Sequence, residues 1–170
     1  MKTSKSVKRV SIVGYGRFGK VLHRLIKNDF AVTVCDKKPI KDRSEFTSNT
    51  IVAKDTADIY KSEVIFYAVP IESFEEVISS HKKHFQEHHL LIDVLSVKMH
   101  PAKIFEKYLK DSRIQAMLTH PMFGPDSSQH GFEGLPLIVD RFRTSRVNYD
   151  FWKDYFRSKK LKVIEMSARE

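Results

Sequence analysis

The residues of this chain best suited to chemistry begin with Gly14-Tyr15-Gly16-Arg17-Phe18-Gly19, a string with glycine at its first, third and sixth places. Each glycine serves a different end: Gly14 permits a tight turn, Gly16 lets the backbone come close to a pyrophosphate, and Gly19 allows a helix to lie close against a strand. An apolar run precedes the string and a helix-period pattern follows it, so a helix N-terminus with free N–H groups and partial positive charge would face the phosphates, with Tyr15, Arg17 and Phe18 beside them. Counting 36 − 16 = 20 residues past Gly16, Asp36 closes the run Val32-Thr33-Val34-Cys35. A carboxylate there accepts hydrogen bonds from the adenosine ribose and repels a 2′-phosphate, so NAD is expected over NADP. Lys37 and Lys38 follow at once and keep NADP open as the less favoured cofactor. Read as structure alone, the glycines make a turn and Asp36 caps a strand.

In an open parallel sheet, ligands lie beyond the carboxyl ends of the strands. The run 64–69 closes on Val69 and leads into Pro70-Ile71, where the adenosine side of a cofactor would pass; the run 90–95 leads into Ser96-Val97-Lys98, and the run 117–119 into His120-Pro121. His120 is the natural acid or base, because an unperturbed imidazole titrates at about 6.5. Ser96 is suited to hydrogen-bond that imidazole or a substrate hydroxyl. On residue types alone His120 is equally a strand cap before a proline turn, and Lys98 reads as a surface ammonium with no assigned role.

The elements that must position these groups are legible in the hydropathy. Strand-length apolar runs fall at 9–13, 31–35, 63–69, 90–95, 115–119, 135–139 and 161–164, with a weaker one at 50–53. They are mostly continuous rather than alternating, which suits strands covered on both faces. Helix-period stretches lie at 18–27, 73–85, 102–109 and 147–156. In the first, Phe18, Val21, Leu22, Leu25 and Ile26 form one stripe. The alternation predicts an α/β Rossmann-like, doubly wound, mostly parallel sheet with helices on both faces, in one domain over 1–170. The segment 37–60 is the least readable.

With 170 residues and 41% hydrophobic composition, the chain can bury roughly 70% of its unfolded surface without disulfides or a structural metal. The single cysteine, Cys35, excludes an internal disulfide and makes a reducing compartment the default. Cys35 ends an apolar strand beside Asp36, which raises a thiol pKa, so it is expected to pack rather than react. No segment approaches the roughly 18 apolar residues of a membrane span, and the basic opening leads into too short an apolar run for a signal peptide. A cytoplasmic protein with no membrane partner is therefore expected.

The net charge of 30 − 21 = +9 would attract polyanions, yet the cations occur singly or in pairs without a stripe interleaved with aromatics, which argues against nucleic acid. The histidine-rich stretch 81–89 reads as a solvated helix end, since it lacks the cysteines or second ligand cluster of a zinc site; no metal is expected. Tyr149, Phe151, Trp152, Tyr155 and Phe156 have helical spacing and are expected to pack a last helix on the sheet.

The string His120-Pro121-Met122-Phe123-Gly124-Pro125-Asp126, preceded by Asp93-Val94-Leu95-Ser96-Val97-Lys98 and by Ala68-Val69-Pro70-Ile71, resembles the nucleotide-binding domain of prephenate and arogenate dehydrogenases. The resemblance runs from about Val10 to the last residue. It implies oxidative decarboxylation of prephenate, or of arogenate, in tyrosine formation. His120 would take the proton of the ring 4-hydroxyl, Ser96 would orient that hydroxyl and His120, and NAD would accept the hydride. Family members continue from a Met-Ser/Thr-x-x-Glu segment into a helical domain that forms the dimer and binds the substrate carboxylate. Here Met166-Ser167-Ala168-Arg169-Glu170 are the last residues, so the resemblance implies the cofactor domain alone, partnered by a small-molecule substrate and by a helical domain or a second copy. The alternative is a dinucleotide-binding module with no turnover by itself.

Overall fold

The computed structural model describes residues 8–169. Arg9–Val13 (β1), Ala31–Cys35 (β2), Thr50–Val52 (β3), Val64–Tyr67 (β4), Leu90–Asp93 (β5), Gln115–Pro121 (β6), Pro136–Asp140 (β7) and Lys162–Glu165 (β8) form one sheet in the order β3-β2-β1-β4-β5-β6-β7-β8. From β3 to β6 every pairing is parallel. This is the 3-2-1-4-5-6 order of a doubly wound dinucleotide fold, and its direction of winding reverses between β1 and β4. β7 then runs antiparallel to β6, and β8 parallel to β7.

The helices are Arg17–Ile26 (α1), Thr56–Ile59 (α2), Ile71–His81 (α3), Met99–Leu109 (α4) and Arg146–Ser158 (α5), and a tight turn of helix at Lys82–His84 follows α3. Two starts are fixed by side chains: Asp55 accepts from Asp58 N–H at 2.9 Å and Ser145 from Asn148 N–H at 3.2 Å, each satisfying a donor that a helix start leaves unpaired. The stripe on α1 and the aromatics of α5 cover one face of the sheet. There Trp152 is 1% exposed, packed edge-on to Phe66 and against Phe30. Phe74 of α3 and Phe105 of α4, both fully buried, close the other face over Ile65, Tyr67 and Leu91. Among the described residues no helix is long and apolar enough to cross a membrane.

Two expectations change at this level. The 81–89 stretch is only partly solvated: His89 is 1% exposed, accepting from Gln86 N–H through Nδ1 at 2.9 Å and donating through Nε2 to the Tyr60 carbonyl at 2.8 Å. His81 Nδ1 meets the Tyr60 hydroxyl at 2.9 Å. The reason is the underlying Tyr60, whose ring gathers three histidines of that stretch. The run ending at Thr119 also extends, because β7 pairs with it through His120 opposite Ile138 and Pro121 opposite Leu137.

Candidate active site and dinucleotide cradle

The loop between β1 and α1 is built by close approach. Gly14 has φ +97°, and a Cβ there would lie 2.4 Å from the Ala68 carbonyl oxygen at the end of β4. A Cβ on Gly19 would lie 2.1 Å from the Gly14 carbonyl oxygen. These two glycines are demanded by the protein's own backbone. Gly16 differs: a Cβ there would meet nothing within 4 Å. Open space beside the middle glycine is what a backbone reserved for a phosphate group requires. The start of α1 agrees, since Gly16 supplies no capping side chain and the first turn holds no acid.

Asp36 follows β2 and lies directly over this loop. Its Oδ2 accepts from Tyr15 N–H at 2.7 Å and its Oδ1 from Lys38 N–H at 2.9 Å. The carboxylate is thereby fixed in direction, and each oxygen keeps acceptor capacity for a ribose hydroxyl. The strand-cap reading and the ribose reading of Asp36 are thus compatible. Tyr15 is buried. Arg17 is exposed and 3.8 Å from the equally exposed Asp126, while Phe18 packs on Phe123. Val69, half-buried, and Pro70, exposed, turn the chain from β4 into α3 across the reversal point. The Cys35 thiol is pushed up by burial and by Asp36.

Beyond β5 and β6 a second group gathers on the same rim. Asp93, the last residue of β5, is fully buried; its Oδ2 accepts from Leu95 N–H at 3.0 Å and its Oδ1 from Thr119 N–H at 3.3 Å. Lys98 turns back from the start of α4 to pair with that carboxylate and to donate to the Thr119 carbonyl, leaving its side chain 11% exposed. This corrects the surface reading of Lys98. A buried carboxylate requires a counter-charge, and the chain turn after β5 brings Lys98, five residues on, to supply it. Burial drives the Asp93 carboxyl up and the Lys98 ammonium down, and each partner's charge opposes the other's shift.

His120 sits within β6, half-buried next to this pair. Burial and, secondarily, the Lys98 charge hold its imidazole below the usual histidine range. Ser96 is exposed on the turn between β5 and α4. Among the described residues no hydrogen bond joins it to His120, so of its two expected partners the imidazole is not engaged. The turn is held by Leu95 N–H on Asp93 and by Lys98, which leaves Ser96 on its outer side. The structure therefore brings Gly14–Gly19 residues, Asp36, Val69 and Pro70 together at the β1/β4 reversal, and Ser96, Lys98 and His120 at the neighbouring strand ends. Sequence reasoning missed Asp93 as the anchor of Lys98; an acid ending an apolar strand five residues before a lysine was the available signal.

The family model described as "Prephenate dehydrogenase, nucleotide-binding domain" matches residues 19–162. The chain belongs to this family. Among relatives of the prephenate dehydrogenase nucleotide-binding domain, arogenate dehydrogenase 2, chloroplastic, of Arabidopsis thaliana is 28% identical over 97% of this chain and 48% of its own length. A probable arogenate/prephenate dehydrogenase of Methanocaldococcus jannaschii is 35% identical over 69% of this chain and 27% of its own length. The chain thus spans about half or less of the relatives it matches. In fold, it is similar to prephenate dehydrogenase from A. aeolicus in complex with hydroxyphenyl propionate and NAD+, with TM-score 0.78 and 17% identity over 98% of this chain and 62% of that one. An imine reductase from Myxococcus stipitatus in complex with NADP+ gives TM-score 0.73 and 14% identity over 92% of this chain and 55% of that one. The matching family and the named relatives are dehydrogenases.

Proposed function

We propose that this chain is the cofactor-binding domain of an NAD-dependent dehydrogenase that oxidatively decarboxylates prephenate to 4-hydroxyphenylpyruvate. One observation carries the reading: the cradle around Gly16 follows β1 and the Lys98–His120 group lies at the ends of β5 and β6, so with β4 between them they share the carboxyl-end rim of one parallel sheet. The backbone of the glycine loop would hold the pyrophosphate, Asp36 the ribose, and Val69 and Pro70 the flank. The bound nicotinamide supplies the hydride acceptor.

The chain's own residues manage the proton. With its pKa lowered, His120 is neutral at physiological pH, and its imidazole accepts the proton of the ring 4-hydroxyl as that carbon is oxidised. Cleavage of the bond to the ring carboxylate releases carbon dioxide, and its electron pair aromatises the ring. The proton then returns to the phenolate oxygen, so none is consumed. The Lys98 ammonium beside His120 favours the neutral imidazole beforehand and stabilises negative charge building on the oxygen. Ser96, exposed at the rim, is free to reach the hydroxyl from the solvent side.

Arogenate is the second reading, favoured by the names of the Arabidopsis relatives. It differs from prephenate in its side chain, whereas the residues here act on the ring hydroxyl, so this domain serves either. The decisive assay uses the native polypeptide that carries this domain, with prephenate and arogenate each paired with NAD and NADP. Reduction of NAD with prephenate is expected; reduction with arogenate alone assigns the second reading, and none with either overturns both. For the isolated chain, NADH should bind more tightly than NADPH, and Asp36→Ala should narrow the gap. Equal affinities in the unmodified chain would overturn the NAD preference.

A further inference from the structure

Helix α1 carries a polar side chain that neither its packing nor the proposed chemistry requires. His23 is fully buried on the sheet-facing side, next to Leu22. Its Nδ1 is 2.7 Å from the Tyr15 hydroxyl and its Nε2 is 3.1 Å from Thr50 Oγ1. Thr50 Oγ1 in turn accepts from Thr47 N–H at 3.0 Å. The Phe46 ring lies edge-on to both Tyr15 and His23, with centroids 5.9 and 5.8 Å away. Burial keeps the imidazole neutral, its pKa lowered to about 4, with the Lys27 charge adding to that shift and Glu45 opposing it. A neutral imidazole offers one donor and one acceptor, and both are used here.

The two ends of this relay belong to different parts of the cradle. Tyr15 is the tip of the glycine loop, flanked by Gly14 and Gly16, and its own N–H is bonded to Asp36. Thr47 and Thr50 close the segment 37–49 that begins right after Asp36. That segment is also tied to α1 by Lys27–Glu45 at 2.8 Å and Lys20–Asp42 at 3.2 Å. Flanking glycines leave a loop tip with more backbone freedom than any other residue pair would. In this loop the Tyr15 side chain is the tether that removes that freedom, and His23 is what it is tethered to.

We propose that His23 is a positioning residue for dinucleotide binding: unable to touch a ligand itself, it joins Tyr15 in the glycine loop to Thr50, fixing the phosphate cradle relative to the 37–49 segment beside Asp36. The proposal rests on the reading that the dinucleotide lies across the glycine loop. Its benefit is preorganisation, since loop order supplied by His23 is order that the cofactor does not have to impose on binding.

The test is an NADH titration of this chain at neutral pH, followed by nucleotide fluorescence, with thermal melting measured alongside. His23→Leu fills the space and removes both hydrogen bonds; it should weaken NADH binding about tenfold, the equivalent of ordering roughly one residue of backbone. His23→Gln restores a donor and an acceptor and should recover most of that loss, even if its melting temperature is no higher than that of the leucine variant. Should His23→Leu not fold, Thr50→Val at the far end of the relay decides by the same criterion. Affinity within about twofold of the unmodified chain in a folded His23→Leu or Thr50→Val variant would overturn the proposal. Equal weakening in the Leu and Gln variants would overturn it too, by showing a merely structural histidine. No NADH binding by the unmodified chain would instead overturn the cofactor reading on which it rests.

Discussion

Replacing Lys98 by Met removes an ammonium whose side chain is 11% exposed and leaves the fully buried Asp93 carboxylate without its counter-charge. Breaking one side of such a pair costs about 3–5 kcal/mol. Asp93 retains the N–H groups of Leu95 and Thr119, so the lower end, about 3 kcal/mol, is expected. With a urea slope of about 2 kcal/mol/M, the unfolding midpoint should fall by about 1.5 M at pH 8. The deficit must also depend on pH. In the variant the Lys98 charge no longer opposes the upward push of burial on the Asp93 carboxyl, so its folded pKa lies further above its unfolded value. The folded state then takes up the proton first as pH falls, and the variant regains stability relative to the unmodified chain through that folded pKa. Adding Asp93→Asn to Lys98→Met removes the uncompensated charge and should recover at least half of the loss. Urea titrations followed by circular dichroism at pH 8 and pH 5 read all of this. A loss below about 1 kcal/mol that is the same at both pH values would refute a buried pair, because that is the worth of a solvated one. The His120 imidazole provides an independent reading: without the Lys98 charge its pKa, followed by NMR, should rise.

Gly16→Val should abolish dinucleotide binding while leaving the melting temperature nearly unchanged, since the added side chain meets open space and the backbone there is extended at φ −80°; a titration with unchanged NADH affinity would place the cofactor elsewhere. In the native polypeptide, His120→Asn should lower turnover by about two to four orders of magnitude with cofactor affinity preserved, which steady-state kinetics and an NADH titration separate. Acid should destabilise the fold before carboxylates titrate: His23, with a folded pKa of about 4 against an unfolded value of 6.5, contributes stability that is complete above pH 6.5, is lost as pH falls, and is gone below about 4. The full swing is about 3 kcal/mol. His89, also held low by burial, adds in the same direction, and urea midpoints that stay flat from pH 7 to pH 4.5 would contradict both.

Much of the cradle was legible because its signals are local. Gly14 and Gly19 announce backbone requirements that any chain with this strand-turn-helix must meet, Gly16 leaves open space beside the same turn, and Asp36 is placed by counting along one strand. Continuous apolar runs at β1, β2, β4 and β5 declare strands covered on both faces, whatever their neighbours. The segment 37–60 resisted reading for the converse reason: its short strand β3 and the four-residue α2 hold too few residues to show a period, and they are held by contacts with α1 and β2.

From its residues alone, this chain determined that strands and helices alternate, that three glycines shape the first strand-to-helix turn, and that an imidazole stands near the end of a later strand. Only the tertiary structure decided the roles of the polar groups between them. Lys98 is buried because Asp93 and the Thr119 carbonyl, five and twenty-one positions away, converge on its ammonium; Ser96 faces outward because the same turn directs Lys98 inward. His23 is hidden between Tyr15 and Thr50, eight positions before it and twenty-seven after. The reason is physical: hydropathy and turn preferences act on neighbours along the chain, whereas the burial of a charge or an imidazole is settled by whether distant groups arrive to satisfy it.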